Sequence, residues 1–120
     1  MLFSSERKFR FWDYNISHKQ LLLRSPISDD FVDNIDIVFW DVDYMAVPTY
    51  FTGIRLEHPV GEEVPSRMYS LITQNKQHLI VCSGCKVLRN KLDIFVSSLC
   101  YFAENQTLDK ESLGEVLFHS

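Results

Sequence analysis

The residues with the most specific chemistry are Cys82 and Cys85, separated by Ser83-Gly84, with His78 four residues before and Cys100 further on. A Cys-x-x-Cys across a turn can set two thiolates on one Zn²⁺, and an imidazole with a third thiolate would complete a tetrahedron. A zinc ribbon carries two such pairs, whereas this chain carries one. Strand alternation also puts His78, Ile80 and Cys82 on one face, and Ile80 marks that face as core. The plainer reading is a cysteine packed in a strand as a small hydrophobe, with a second in a turn. A thioredoxin-like role fits no better, because that thiol opens a helix within a βα unit.

Asp41-Val42-Asp43 closes the apolar run Ile37-Val38-Phe39-Trp40. On a strand, alternate residues point the same way, so both carboxylates would face one side. Two hard oxygen ligands can hold Mg²⁺ or Mn²⁺. The same aspartates can instead solvate a strand end or face a neighbouring arginine. Nucleotide-sugar glycosyltransferases also end a strand in Asp-x-Asp, but on an α/β domain. No alternation of strands and helices is found here.

No other catalytic set converges. There is no Gly-x-Ser-x-Gly elbow, and the only Cys–His pair close in sequence is His78 with Cys82 or Cys85. His18 falls in a turn, His58 precedes Pro59, and His119 is next to last. The four glycines, Gly53, Gly61, Gly84 and Gly114, are scattered, so no glycine-rich phosphate cradle forms. Enzymatic activity is not expected.

The elements that would position these residues are read from β-branched and aromatic runs between turn residues. Strands are expected over 8–16, 20–24, 35–40 (running on to Tyr44), 51–56, 68–73 and 77–82, with short ones at 87–88 and 92–96. In the first, Phe9 and Phe11 share one face while Trp12, Tyr14 and Ile16 share the other, which suggests a bulge. A helix over 108–118, capped by Thr107, would put Leu113, Val116 and Leu117 on one side. A hairpin followed by an apolar–Asp–Ile strand occurs twice, with Ile35-Asp36-Ile37 answered by Leu92-Asp93-Ile94. The pattern is either a pseudo-duplication or the ordinary likeness of hairpins. The expected fold is therefore mainly β, an antiparallel sandwich or partly open barrel with a short C-terminal helix. At 120 residues it makes a single domain, 1–120.

Hydrophobic residues make up 46% of the chain, enough to exclude a disordered one. No apolar run approaches the roughly 20 residues of a membrane span. Met1-Leu2-Phe3 leads into Ser-Ser-Glu-Arg-Lys without the apolar centre of a signal peptide. Together with an odd count of three cysteines, this points to the reducing cytoplasm.

Charge is divided into blocks. Between residues 29 and 63 nine acids stand against Arg55 alone, and between 66 and 92 five basic residues meet no acid. The blocks either steer a charged partner or neutralise each other in the fold. A net charge of −4 argues against nucleic-acid binding, which depends on neutralising phosphates.

Phe11-Trp12-Asp13-Tyr14, Leu21-Leu22-Leu23-Arg24-Ser25-Pro26 and Asn34-Ile35-Asp36-Ile37-Val38-Phe39 resemble a group of small uncharacterised bacterial proteins. The resemblance lies mainly within residues 11–39. It implies a bacterial, stand-alone domain and carries no catalytic residues with it.

The expected function is a non-enzymatic, protein-binding domain of immunity or accessory type, meeting a basic protein. Asp29, Asp30, Asp33, Asp41 and Asp43 would steer the partner, and Trp40, Tyr44 and Tyr50 would make contact. The alternative is a structural or regulatory zinc site at His78, Cys82, Cys85 and Cys100. A small ligand in a barrel mouth is a third reading, and exposed edge strands leave dimerisation open.

Overall fold

The computed structural model describes residues 2–58, 67–99 and 115–119. Its strands are β1 (Phe3–Asn15), β2 (Gln20–Ser25), β3 (Asn34–Trp40), β4 (Tyr44–Met45), β5 (Tyr50–Glu57), β6 (Met68–Thr73), β7 (Lys76–Val81), β8 (Gly84–Asn90) and β9 (Glu115–His119). They form one nine-stranded sheet in the order β4-β7-β6-β5-β1-β2-β3-β8-β9. Among the described residues all its pairings are antiparallel, and the sheet does not close. The mainly β, antiparallel expectation holds, with no second, separately paired sheet among the described residues.

Alternation sorts the core. Leu21 pairs with Phe39 and Leu23 with Ile37, while Phe39 and Ile37 pair on their other side with Cys85 and Val87. All six are fully buried on one face. Burying each leucine contributes roughly 2 kcal/mol. The sheet curls around this face. Phe39 in β3 meets Tyr69 in β6 edge-on at 6.5 Å, although three strands lie between them in the sheet order. Backbone bonds gather one end of the curl, with Ser83 N–H donating to Trp40 O and Asp43 N–H to Val81 O.

β1 carries two irregularities. Between Ser5 and Lys8, the residues Glu6 and Arg7 oppose Gly53 alone. Gly53 has φ 71°, while the space where its Cβ would lie is uncrowded. Glycine is therefore needed there for its backbone conformation. Between Phe11 and Asp13, Trp12 is the extra residue. The second bulge is the one the change of face suggested. It lets Phe11 and Tyr14 both pack on the main core while Trp12 turns to the other face.

On that other face, residues 91–99 cross a buried polar cluster. Arg24 and Asp36 are paired across β2 and β3 with no exposure. Arg24 Nη1 donates to Val96 O at 2.8 Å, and Asn34 Nδ2 donates to Leu92 O at 2.9 Å. Trp12 lies under the guanidinium and packs with Leu22, Val38 and Leu99.

Three expectations need correction. Residues 92–96 are not a strand, because their carbonyls accept from Asn34 and Arg24 instead of a ladder. The second occurrence of the hairpin-and-strand order therefore fails at Leu92-Asp93-Ile94. The helix over 108–118 is contradicted at its end, where Glu115–His119 is a strand paired with β8. Thr107 and residues 108–114 lie outside the described residues. β3 also stops at Trp40, since Asp41 has φ 54° and Tyr44 pairs with Val81 at the opposite edge.

Candidate functional site

The first bulge in β1 aims Arg7 beneath the loop of residues 26–33. Arg7 Nε donates to Ser25 Oγ at 2.9 Å, Nη1 to Asp33 Oδ1 at 3.0 Å and Nη2 to Asp33 O at 2.6 Å. Phe31 covers this guanidinium, with its ring centre 3.9 Å away. Ser28 and Phe31 exchange backbone hydrogen bonds, and Ile27 N–H donates to Asn34 Oδ1 at 2.8 Å. Both ends of the loop are thus tied down. Its tip presents Asp29, Asp30 and Val32, and Val32 is 78% exposed.

Beside the loop lies an open cleft of about 380 Å³. Its floor comes from adjacent strands, where Lys8 pairs with Thr52 and Arg10 with Tyr50. These four point away from Phe9 and Phe51, which stack in the core at 6.1 Å. Thr52 Oγ1 donates to Tyr50 Oη at 3.5 Å, and the Arg10 guanidinium lies 5.7 Å from the Tyr50 ring centre. The Thr52 hydroxyl, and then the charges of Lys8 and Arg10, hold the Tyr50 phenol below the ordinary tyrosine value. Glu6, Asp30 and Phe31 line the walls, so the cleft carries both signs of charge.

The expected acidic face does not assemble as one surface. Asp29, Asp30 and Asp33 belong to the loop, and Tyr50 stands across the cleft from Asp30. Asp33 is engaged by Arg7 and Arg89. Asp41 and Asp43 lie beyond the far end of β3, roughly 20 Å along the strand. There Lys19 and Arg67 each pair with both carboxylates, and Ser83 Oγ–H donates to Asp41. The cluster joins the β1–β2 turn, the β3–β4 connection, Arg67 and the β7–β8 turn. Trp40 stacks on His119 at 5.7 Å, and Tyr44 is exposed on β4. Arg67 and Arg89 of the basic block thus neutralise acids of the acidic block.

Cys82 and Cys85 are fully buried in the main core. Cys82 Sγ–H donates to Gly84 O at 3.4 Å. Burial, and then the neighbouring Cys85, push the Cys82 thiol up to about 12. His78 is half-buried on β7, two residues before the buried Ile80. Cys100 lies outside the described residues. Among the described residues, no three His, Cys, Asp or Glu side chains form a metal-binding group. No helix among them is long and apolar enough to cross a membrane.

The sequence reading missed Lys8, Arg10, Phe31 and Val32. The available signal was Lys8-Phe9-Arg10-Phe11, in which charge and aromatic alternate with the period of a strand. No protein-family model, curated protein or solved structure matches this chain.

Proposed function

We propose that the chain is a non-enzymatic protein-binding domain, of immunity or accessory type, that meets a basic partner with the loop of residues 26–33. Val32 carries this reading. It is an apolar side chain held in solvent on a loop fixed at both ends by Arg7 and Asn34. A contact ordered in advance loses little entropy on binding. Phe31 and Tyr50 extend the apolar area, and Asp29 and Asp30 supply the charge facing the partner. Steering falls to these two acids because Asp33, Asp41 and Asp43 are neutralised within the fold. An apolar anchor ringed by charge is a common interface design.

The test is site-specific photo-crosslinking in the source cells. A photoreactive residue at Val32 should capture a protein of different sequence, while the same residue at Lys76, exposed on β7, should not. Capture should fall when Asp29 and Asp30 are replaced by lysine. Equal capture from both positions, or none from Val32, would refute the assignment.

A further inference from the structure

We propose that the loop and the cleft beside it are self-complementary and join two copies of the chain about a twofold axis. Asp29 and Asp30 of each copy would lie on Lys8 and Arg10 of the other. This rests on the loop being an interaction surface, and a second copy is its occupant in the free protein, which a basic partner would have to displace.

A twofold interface uses the same patch on both subunits, so the patch must contain both halves of every contact. This surface does. The loop tip carries two carboxylates, Asp29 and Asp30, and the cleft floor carries two cations, Lys8 and Arg10. Among the described residues, none of the four lies within ion-pair distance of an opposite charge. Glu6 in the cleft wall is likewise without an ion pair among the described residues, whereas Arg7 and Asp33 are already engaged. Arg7 is committed to Asp33 and Ser25, and Asp33 also to Arg89. The four charges of loop tip and cleft floor therefore meet no opposite partner within one patch, where the two signs lie side by side. Rotating a second copy by half a turn sets each sign against the other.

The same patch supplies an apolar centre. Phe31, Val32 and Tyr50 are exposed among these charges, and interfaces commonly centre on such apolar side chains. The Arg7 clamp fixes the loop before contact, so pairing does not need to order it.

Sedimentation equilibrium of the purified full chain, from micromolar to submillimolar concentration, tests the arrangement. The unmodified chain should show a reversible monomer–dimer equilibrium. Lys8→Glu/Arg10→Glu gives a chain with two acidic sites, and Asp29→Lys/Asp30→Lys gives one with two basic sites. Each should self-associate at least about tenfold more weakly than the parent. Mixed in equal amounts, the two variants should form a heterodimer, because both loop-to-cleft contacts become attractive again. All four positions are exposed, and circular dichroism checks that the variants fold.

A parent chain that stays monomeric overturns the proposal. Variants that dimerise like the parent, or a mixture that stays monomeric, also overturn it. Failure here is separate from failure of the binding function. A monomeric chain whose Val32 still captures another protein loses only the dimer. A dimer whose Val32 captures only its own copy loses only the partner.

Discussion

Arg24 grips Asp36 with two parallel bonds, Nε to Oδ1 at 2.6 Å and Nη2 to Oδ2 at 2.8 Å, and solvent reaches neither side chain. Asn90 Nδ2 adds a third bond to Oδ2 at 2.8 Å, and Asn34 supports Asn90 at 2.9 Å. Removing one partner would strand the other charge away from water. Arg24→Met or Asp36→Leu alone should cost about 3–5 kcal/mol in urea unfolding. The double replacement should cost clearly less than the sum. Additive losses would mean the two residues do not act as a pair.

The charged cluster at the far end of the sheet predicts a pH dependence. The Ser83 hydroxyl, and then Lys19, hold the Asp41 carboxyl below its usual range, and Lys19 with Arg67 do the same for Asp43. Both carboxylates ionise more readily in the folded chain than in the unfolded one. Their stabilising effect is complete above the ordinary aspartate value, about 3.9, and is lost as pH falls through their lowered folded values. Lys19 moves upward, mainly through its bond to Asp43, so its contribution fades only at strongly basic pH. Urea midpoints between pH 6 and pH 2 should fall less steeply for Asp41→Asn/Asp43→Asn than for the parent. Parallel curves would refute this linkage.

Gly84 sits opposite Trp40 across β3 and β8. A methyl group at Gly84 would overlap the six-membered ring of Trp40. Gly84→Ala should therefore destabilise by about 1–3 kcal/mol, as overpacking does. Combining it with Trp40→Leu should remove most of that added cost, measured against Trp40→Leu alone. An alanine tolerated beside the intact indole would show that the ring has room to turn away.

The buried thiols predict low reactivity. In a Cys100→Ser chain, Cys82 and Cys85 should not react with Ellman's reagent at neutral pH until denaturant is added. Both are without exposure, and the Cys82 thiol stays protonated up to about 12. Prompt reaction of two thiols would contradict the buried placement. Elemental analysis of the unmodified chain, purified without a metal-affinity tag, tests the zinc alternative independently. One zinc per chain would require Cys82 and Cys85 to be thiolates and would make His78 and Cys100 the next residues to replace.

Much of the fold was legible because strand alternation is local. The runs 20–24 and 35–40 read as strands, and the shift at Trp12 could be seen as a change of face, but Leu22 and Val38 are as apolar as Leu21 and Phe39, so the inner face of β2 and β3 needed the fold. The segment 92–96 misled for the same reason. Leu92, Ile94 and Val96 alternate like a strand, but whether a ladder forms depends on a neighbour, and here Arg24 and Asn34 take the carbonyls. The site was less legible. The aspartates could be counted, but pairing Asp33 with Arg7 or Asp43 with Arg67 requires the curl of the sheet, which brings together residues 24 or more apart. Of the expected contact residues, the loop brings Asp29 and Asp30 to the cleft that Tyr50 lines, and no cation lies within ion-pair distance of the two acids among the described residues.

The two bulges of β1 also bear on how one strand can serve two surfaces. One strand supplies Arg7 to the loop and Trp12 to the crossing segment, each from a residue outside the regular ladder. Between them, Phe9 keeps its place in the core. Each surface thus hangs on its own joint, and the paired residues Lys8 to Phe11 between the two joints hold the register. Such a strand aims two side chains independently while one continuous ladder keeps Phe9 in the core.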